Sequence, residues 1–147
     1  MRRTALENGL ANASASAHPG GLYGLRVFVV EDEAMVAMMV EDMLVALGCV
    51  VVDVAGTLSR GLALAGDAAI EIDGAILDIN LGGEKVYPVA QALTVRGVPF
   101  IFSTGYSGAG IAPDFSHVPI LPKPYEQDDL EEQLLEAVAP SARRRGA

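Results

Sequence analysis

Apolar positions in this chain fall into two patterns, short continuous runs and longer stretches with a helical period. The most telling run is Gly74–Leu81, in which Ala75, Ile76, Leu77 and Ile79 surround a single acid, Asp78. Such a run predicts a strand buried on both faces, with Asp78 near its C-terminal end. Leu25–Val30, Cys49–Ala55, Pro99–Ser103 and Pro119–Pro122 have similar apolar character and are also predicted strands. The stretches between them change period. A helix is predicted over about Ala34–Leu47, with Val36, Val40, Met43 and Leu47 facing inward and Gly48 closing it. A second runs from the capping Thr57 to about Ala65, with Leu58, Leu62 and Ala65 inward, and is weakened by Gly61 and Gly66. A third covers about Glu84–Arg96, with Gly97 as its stop; Pro88 is tolerable only in a first turn, so regular helix is expected to begin near Pro88. The last covers about Gln127–Ala139. Leu81-Gly82-Gly83 is expected to be a loop. Ser107–His117, with Gly108, Gly110 and Pro113, has no helical period and is expected to be irregular.

Five strands alternating with helices predict an α/β fold, a parallel sheet covered on both faces. The common order for a doubly wound, flavodoxin-like sheet of five strands is 2-1-3-4-5. Its fourth helix is expected to be short or irregular here. The 147 residues suffice for one domain, expected over residues 25–139. Residues 1–24, rich in Ala, Ser, Asn and Gly, are expected to be a disordered tail with at most a short helix around Thr4–Ala11. Residues 140–147, with Arg143–Arg145, are expected to be a basic tail.

Composition narrows the function. No apolar stretch reaches the roughly 20 residues of a membrane helix, and polar residues interrupt any signal-peptide core near the start. Cys49 is the only cysteine, so no disulfide forms within the chain, which fits a cytoplasmic location. Lying in an apolar run, it is expected to be buried and inert. Residues 25–139 hold five basic and 18 acidic residues, a balance of −13. Such a domain repels phosphate backbones and argues against nucleic-acid binding.

In the order 2-1-3-4-5, strands 1 and 3 are neighbours. Glu31-Asp32 and Asp78 therefore converge at the sheet edge where such folds bind ligands. Three carboxylates there cannot all stay charged and dry. Mg²⁺ resolves this, because it takes oxygen ligands and keeps several waters. Asp32 and Asp78 are candidate direct ligands, the Asn80 carbonyl another, and Glu31 a holder of a metal-bound water. Thr104 and Lys123 end strands 4 and 5 on the same edge. A hydroxyl and an ammonium facing acids and a metal suit a phosphoryl group.

With these residues in place, the sequence resembles the receiver domain of two-component response regulators (CheY-like). The matching pieces are Val29-Val30-Glu31-Asp32-Glu33, Leu77-Asp78-Ile79-Asn80-Leu81, Ser103-Thr104-Gly105 and Leu121-Pro122-Lys123-Pro124-Tyr125. The resemblance implies that Asp78 accepts a phosphoryl group from a phosphohistidine on a sensor histidine kinase or histidine phosphotransfer protein. It implies Mg²⁺ at Asp32, Asp78 and the Asn80 carbonyl, with Glu31 helping through water. It makes Thr104 the switch hydroxyl, Lys123 its cationic partner and Lys123-Pro124 a cis peptide. Asn80 and Tyr106 would flank the route of hydrolytic water. Many receivers carry an aromatic residue where this chain has Ile120, which argues against the usual Thr–aromatic coupling. Pro99–Tyr106 looks instead like the FATGUY subgroup, with Ser103 in place of the commoner Ala. That likeness suggests a single-domain regulator of bacterial stress phosphorelays.

The expected output is contact with an unknown downstream protein, or withdrawal of phosphoryl groups from a relay, by a monomer or weak dimer. The chain is not expected to be an enzyme beyond its own phosphorylation and dephosphorylation. Met38 and Val45 lie on the polar side of the first helix and, with Tyr106 and Pro124, are the candidate docking residues. A phosphohydrolase would need an acid where Asn80 stands. An unphosphorylated pseudo-receiver module is the alternative, against which Asp78, Thr104 and Lys123 argue.

Overall fold

A computed structural model of the chain describes residues 21–105 and 110–146, with side chains as far as residue 139. The expected N-terminal tail thus lies outside the described residues up to residue 20, as does the short helix around Thr4–Ala11. Ahead of the expected boundary at Leu25, Leu22 is already buried, and the Gly24 N–H donates to the Gly48 carbonyl at 2.7 Å.

Among the described residues, seven strands and four α-helices follow in order. They are β1 (Arg26–Val30), α1 (Ala34–Ala46), β2 (Val50–Ala55), α2 (Leu58–Ala65), β3 (Gly74–Asp78), β4 (Asn80–Leu81), β5 (Glu84–Lys85), α3 (Tyr87–Arg96), β6 (Phe100–Thr104), β7 (Ile120–Pro122) and α4 (Gln127–Gly146). The main sheet is parallel, in the order β2-β1-β3-β6-β7. Counting only its own strands, this is the expected order 2-1-3-4-5. Alternate side chains feed two cores, as the period of a strand requires. Phe28, Val30, Leu77 and Phe102 pack under α2 and α3, while Val27, Val29, Ile76 and Ile101 pack under α1 and α4.

Several local expectations change. β4 and β5 form an antiparallel hairpin where a loop was expected. Its turn is Gly82-Gly83, both at positive φ (59° and 95°), a backbone that other residues adopt only with strain. The third helix starts at Tyr87 with Pro88 in its first turn, as Pro88 led one to expect, and the hairpin takes up the residues from Glu84. α1 buries Ala37, Val40 and Leu44, so its core face is rotated from the expected one, and Val36, Met43 and Leu47 flank it half-buried. In α2, Thr57 does cap, accepting the Arg60 N–H at 3.1 Å. Leu62, however, is exposed, and Gly61, Leu64 and Ala65 are buried instead. A Cβ on Gly61 would meet Val89 Cγ2 at 3.1 Å, so its bare backbone is what lets α2 approach α3 closely. The last helix continues past Ala139 to Gly146, through the stretch expected as a basic tail. Ala and Arg, both good helix formers, suit that extension. Among the described residues between β6 and β7 the only helical turn is a 3-10 turn at Pro113–Phe115. No helix among the described residues is long and apolar enough to cross a membrane. Cys49 is buried, and burial pushes its thiol up to about 11.

The two cores make a contrast within α1. Leu44 is fully buried, and its neighbour Val45 is 62% exposed. Leu44→Ala is expected to cost about 2–5 kcal/mol in denaturant unfolding, and Val45→Ala no more than about 0.5 kcal/mol. Similar costs for the two would show that the helix face is misassigned.

Candidate functional site

Because β1, β3, β6 and β7 run parallel, their C-terminal ends share one edge of the sheet. Glu31 and Asp32 follow β1, Asp78 ends β3, Thr104 ends β6 and Lys123 follows β7. Backbone bonds fix these ends relative to one another. The Glu31 N–H donates to the Ala55 carbonyl at 2.9 Å, the Ile79 N–H to Ser103 at 3.1 Å and the Lys123 N–H to Thr104 at 2.8 Å.

The Lys123 ammonium lies 3.0 Å from Glu31 Oε1 and 3.3 Å from Asp78 Oδ2. Glu31, Asp78 and Thr104 are buried, while Asp32 is exposed. Ligand oxygens of Glu31, Asp32 and Asp78 all lie within 4.8 Å of one another. The other Glu31 oxygen accepts the Glu33 N–H at 3.0 Å, so both of its oxygens are held by protein donors. Asp78 Oδ1 accepts the Asn80 N–H at 3.3 Å. The Gly82 turn stands over Asp32, with room for a Cβ only 3.9 Å from Asp32 Oδ2.

Charge is unbalanced here, three carboxylates against one ammonium. Burial, and then the charge of Glu31, push the Asp78 carboxyl up to about 7 despite Lys123 and the Asn80 N–H. Burial works against the Lys123 ammonium, but its hydrogen bond to Glu31 and the charges of Asp78 and Glu31 outweigh it and hold its pKa above the ordinary value. An all-oxygen donor set with excess negative charge fits a hard divalent cation better than a soft one. The residues present therefore fit Mg²⁺.

The structure thus brings Glu31, Asp32, Asp78, Asn80, Thr104 and Lys123 to one edge. The Lys123-Pro124 peptide is cis, as expected, and Pro124 is exposed. Tyr106 lies outside the described residues. Met38 and Val45 are exposed on α1, and so are Met35 and Met39. The apolar patch is therefore wider than the heptad spacing of Met38 and Val45 suggested. Sequence reasoning also missed Tyr87. Its ring stacks on Phe115 at 5.6 Å between centroids, and its hydroxyl accepts the Ala112 N–H at 3.1 Å. No periodic signal marks that contact, because it joins a helix start to an irregular loop.

Several solved structures are similar to this chain. SdrG from Sphingomonas melonis Fr1 is 41% identical, with 78% of this chain and 96% of SdrG covered and a TM-score of 0.68. The response regulator PhyR from Brucella abortus is 24% identical over 97% of this chain, with a TM-score of 0.71, and this chain spans 59% of it. A CheY-like response regulator receiver domain protein from Methanospirillum hungatei JF-1 is 23% identical, covering 84% of this chain and 99% of its own, with a TM-score of 0.68. No protein-family model matches the chain, and no functionally curated protein does.

The raised carboxyl sets a pH dependence. Between about pH 4 and about pH 7, folded Asp78 keeps a proton that the unfolded chain has released. The stability this contributes is complete below the ordinary carboxylate range and is lost as pH rises through about 7. In chelator at about pH 8, Asp78→Asn is expected to raise the melting temperature on the order of 5 °C. Added Mg²⁺ should stabilise the wild type but not the variant. A variant that melts at or below the wild type in chelator contradicts the charge imbalance.

Proposed function

This chain belongs to the receiver domains of response regulators, and from that premise we propose that Asp78 accepts a phosphoryl group from a phosphohistidine donor in a Mg²⁺-dependent phosphorelay. The observation that carries the reading is the Lys123 ammonium, 3.0 Å from Glu31 and 3.3 Å from Asp78 at the C-terminal sheet edge. That arrangement holds a carboxylate nucleophile beside a fixed positive charge.

The chemistry asks little covalent work of the protein, so positioning and charge neutralisation carry it. A carboxylate oxygen of Asp78 attacks phosphorus as the P–N bond of the donor breaks, and the electron pair leaves with the imidazole nitrogen. Lys123 offsets negative charge on the acceptor side. Thr104, at the end of β6, offers a hydroxyl to a phosphoryl oxygen. Asp32, Asp78 and the Asn80 carbonyl would hold the cation, with Glu31 acting through a water. The cation supplies further neutralisation of the phosphoryl oxygens. Water later breaks the O–P bond, which limits the signal's lifetime, and Asn80, two residues beyond Asp78, is the residue we assign to that water's approach.

The donor is a sensor histidine kinase or histidine phosphotransfer protein, and the output is a protein contact or the drain of phosphoryl groups from a stress relay. The protein catalyses only its own phosphorylation and dephosphorylation. The exposed Met35, Met38, Met39 and Val45 on α1 suit the donor's docking surface, since methionines adapt to irregular apolar partners.

Two measurements test the reading. Incubation with acetyl phosphate and Mg²⁺ is expected to add about 80 Da, the mass of one phosphoryl group, to the wild type and nothing to Asp78→Asn. An unmodified wild type would favour the pseudo-receiver. Met38→Glu is expected to slow transfer from the protein donor about tenfold while leaving Mg²⁺ affinity unchanged. Equal transfer rates would remove α1 as the docking surface.

A further inference from the structure

Asn80 opens the first strand of the β4–β5 hairpin. Its partner across the hairpin is Lys85, and Leu81 and Glu84 form the next pair toward the turn. On the other side of Asn80, the Val86 N–H donates to the Ile79 carbonyl at 2.9 Å. Antiparallel ladders alternate hydrogen-bonded pairs with non-hydrogen-bonded ones. Asn80 and Lys85 are therefore a non-hydrogen-bonded pair, and the Asn80 N–H and carbonyl both turn away from β5. The side they turn to is the acidic site, because the Asn80 N–H donates to Asp78 Oδ1 at 3.3 Å. Ile79, Leu81 and Val86 are buried in the core under α2 and α3, so both legs of the hairpin are anchored. Its turn is exposed and lies beside Asp32, since a Cβ on Gly82 would sit 3.9 Å from Asp32 Oδ2.

A side-chain ligand is aimed by its rotamer, but a main-chain carbonyl is aimed only by the register of its strand. In a hairpin the turn sets that register. A turn that closed on Asn80 instead of Leu81 would draw the Asn80 carbonyl into the ladder. The closing pair is held at Leu81 and Glu84 because Gly82 and Gly83 take φ of 59° and 95°, positive at both central residues as a type I′ turn requires. A Cβ on Gly83 would meet nothing within 4 Å, so the backbone alone calls for glycine there. We propose that Gly82 and Gly83 are positioning residues for the cation: by closing the hairpin at Leu81 they keep the Asn80 carbonyl out of the ladder and turned to the acids. This deepens the phosphoacceptor reading and rests on its assignment of that carbonyl as a Mg²⁺ ligand.

The test titrates the full chain with Mg²⁺ and, separately, with Ca²⁺ by calorimetry, comparing the wild type with Gly83→Val, Gly83→Ala and Gly83→Asn. Val resists positive φ most, and Asn adopts it most readily among residues with a side chain. Gly83→Val is expected to bind Mg²⁺ about tenfold more weakly, and Gly83→Ala to change in the same direction by less. Gly83→Asn is expected to stay within about twofold of the wild type. Ca²⁺, whose coordination is more flexible, is expected to lose no more than about threefold in Gly83→Val. General damage to the fold would weaken both ions alike, so equal losses would overturn the proposal. Wild-type Mg²⁺ affinity in Gly83→Val would overturn it too, or in Gly83→Ala where the valine variant does not fold. A loss in Gly83→Asn as large as in Gly83→Val would do the same. A wild type that takes up no Mg²⁺ would instead sink the phosphoacceptor reading, and this proposal with it.

Discussion

One ammonium stands among more negative charge than it can neutralise. Lys123 reaches two buried carboxylates, and the oxygen of a third lies close to both. In water such a cluster would mean little, because exposed ion pairs are weak and screened. Here Glu31 and Asp78 are buried at the edge of an apolar sheet, where unpaired charge is expensive. Burial first, and then the charge of Glu31, raise the Asp78 carboxyl. The site thus favours whatever brings positive charge, and Asp78 as an anion is held there at the expense of stability. That tension is a general mark of functional carboxylates.

The sheet makes the tension tolerable. Each charged group follows or ends a strand of one parallel sheet, and the strand ends are tied by main-chain bonds of about 3 Å. The residues directly behind the site, Val29, Val30, Leu77 and Phe102, are almost or wholly inaccessible to solvent. The acids therefore cannot separate without disturbing both cores.

Much of this could be read from the residues alone, and the reason is physical. Strands buried on both faces leave continuous apolar runs, and parallel order places their last residues together. The positions of Glu31, Asp32, Asp78, Thr104 and Lys123 follow from those two facts. What escaped depends on contacts that have no period. The inward face of α1 centres on Ala37, Val40 and Leu44 because small Ala37 lets the helix settle closer than a rule based on large residues allows. Leu62 points outward because Gly61 takes the close approach to Val89 and Val30. The hairpin after Asp78 was written in its Gly-Gly turn, a strong signal only when the flanking residues are taken as strands, and here each strand has two residues.

Ile120 completes the picture. An aliphatic side chain stands there in place of an aromatic one, yet this side of the sheet is not short of aromatic contacts. Tyr87 meets Phe102 edge-on at 5.9 Å and stacks on Phe115, while its hydroxyl accepts the Ala112 N–H. Ile120 itself packs against that same core. Tyr87 opens α3 directly after the hairpin, and the Val86 N–H donates to the Ile79 carbonyl, one residue from Asp78. The acidic site is thereby joined to the irregular loop by two paths, through Thr104 into Gly105 and through the hairpin into Tyr87. The first path is covalent and runs along the backbone. The second is side-chain packing, and it holds the far end of the same loop. A shift at the site that moves the hairpin must also move the anchor of that loop, because stacked rings at this spacing leave little room to slide.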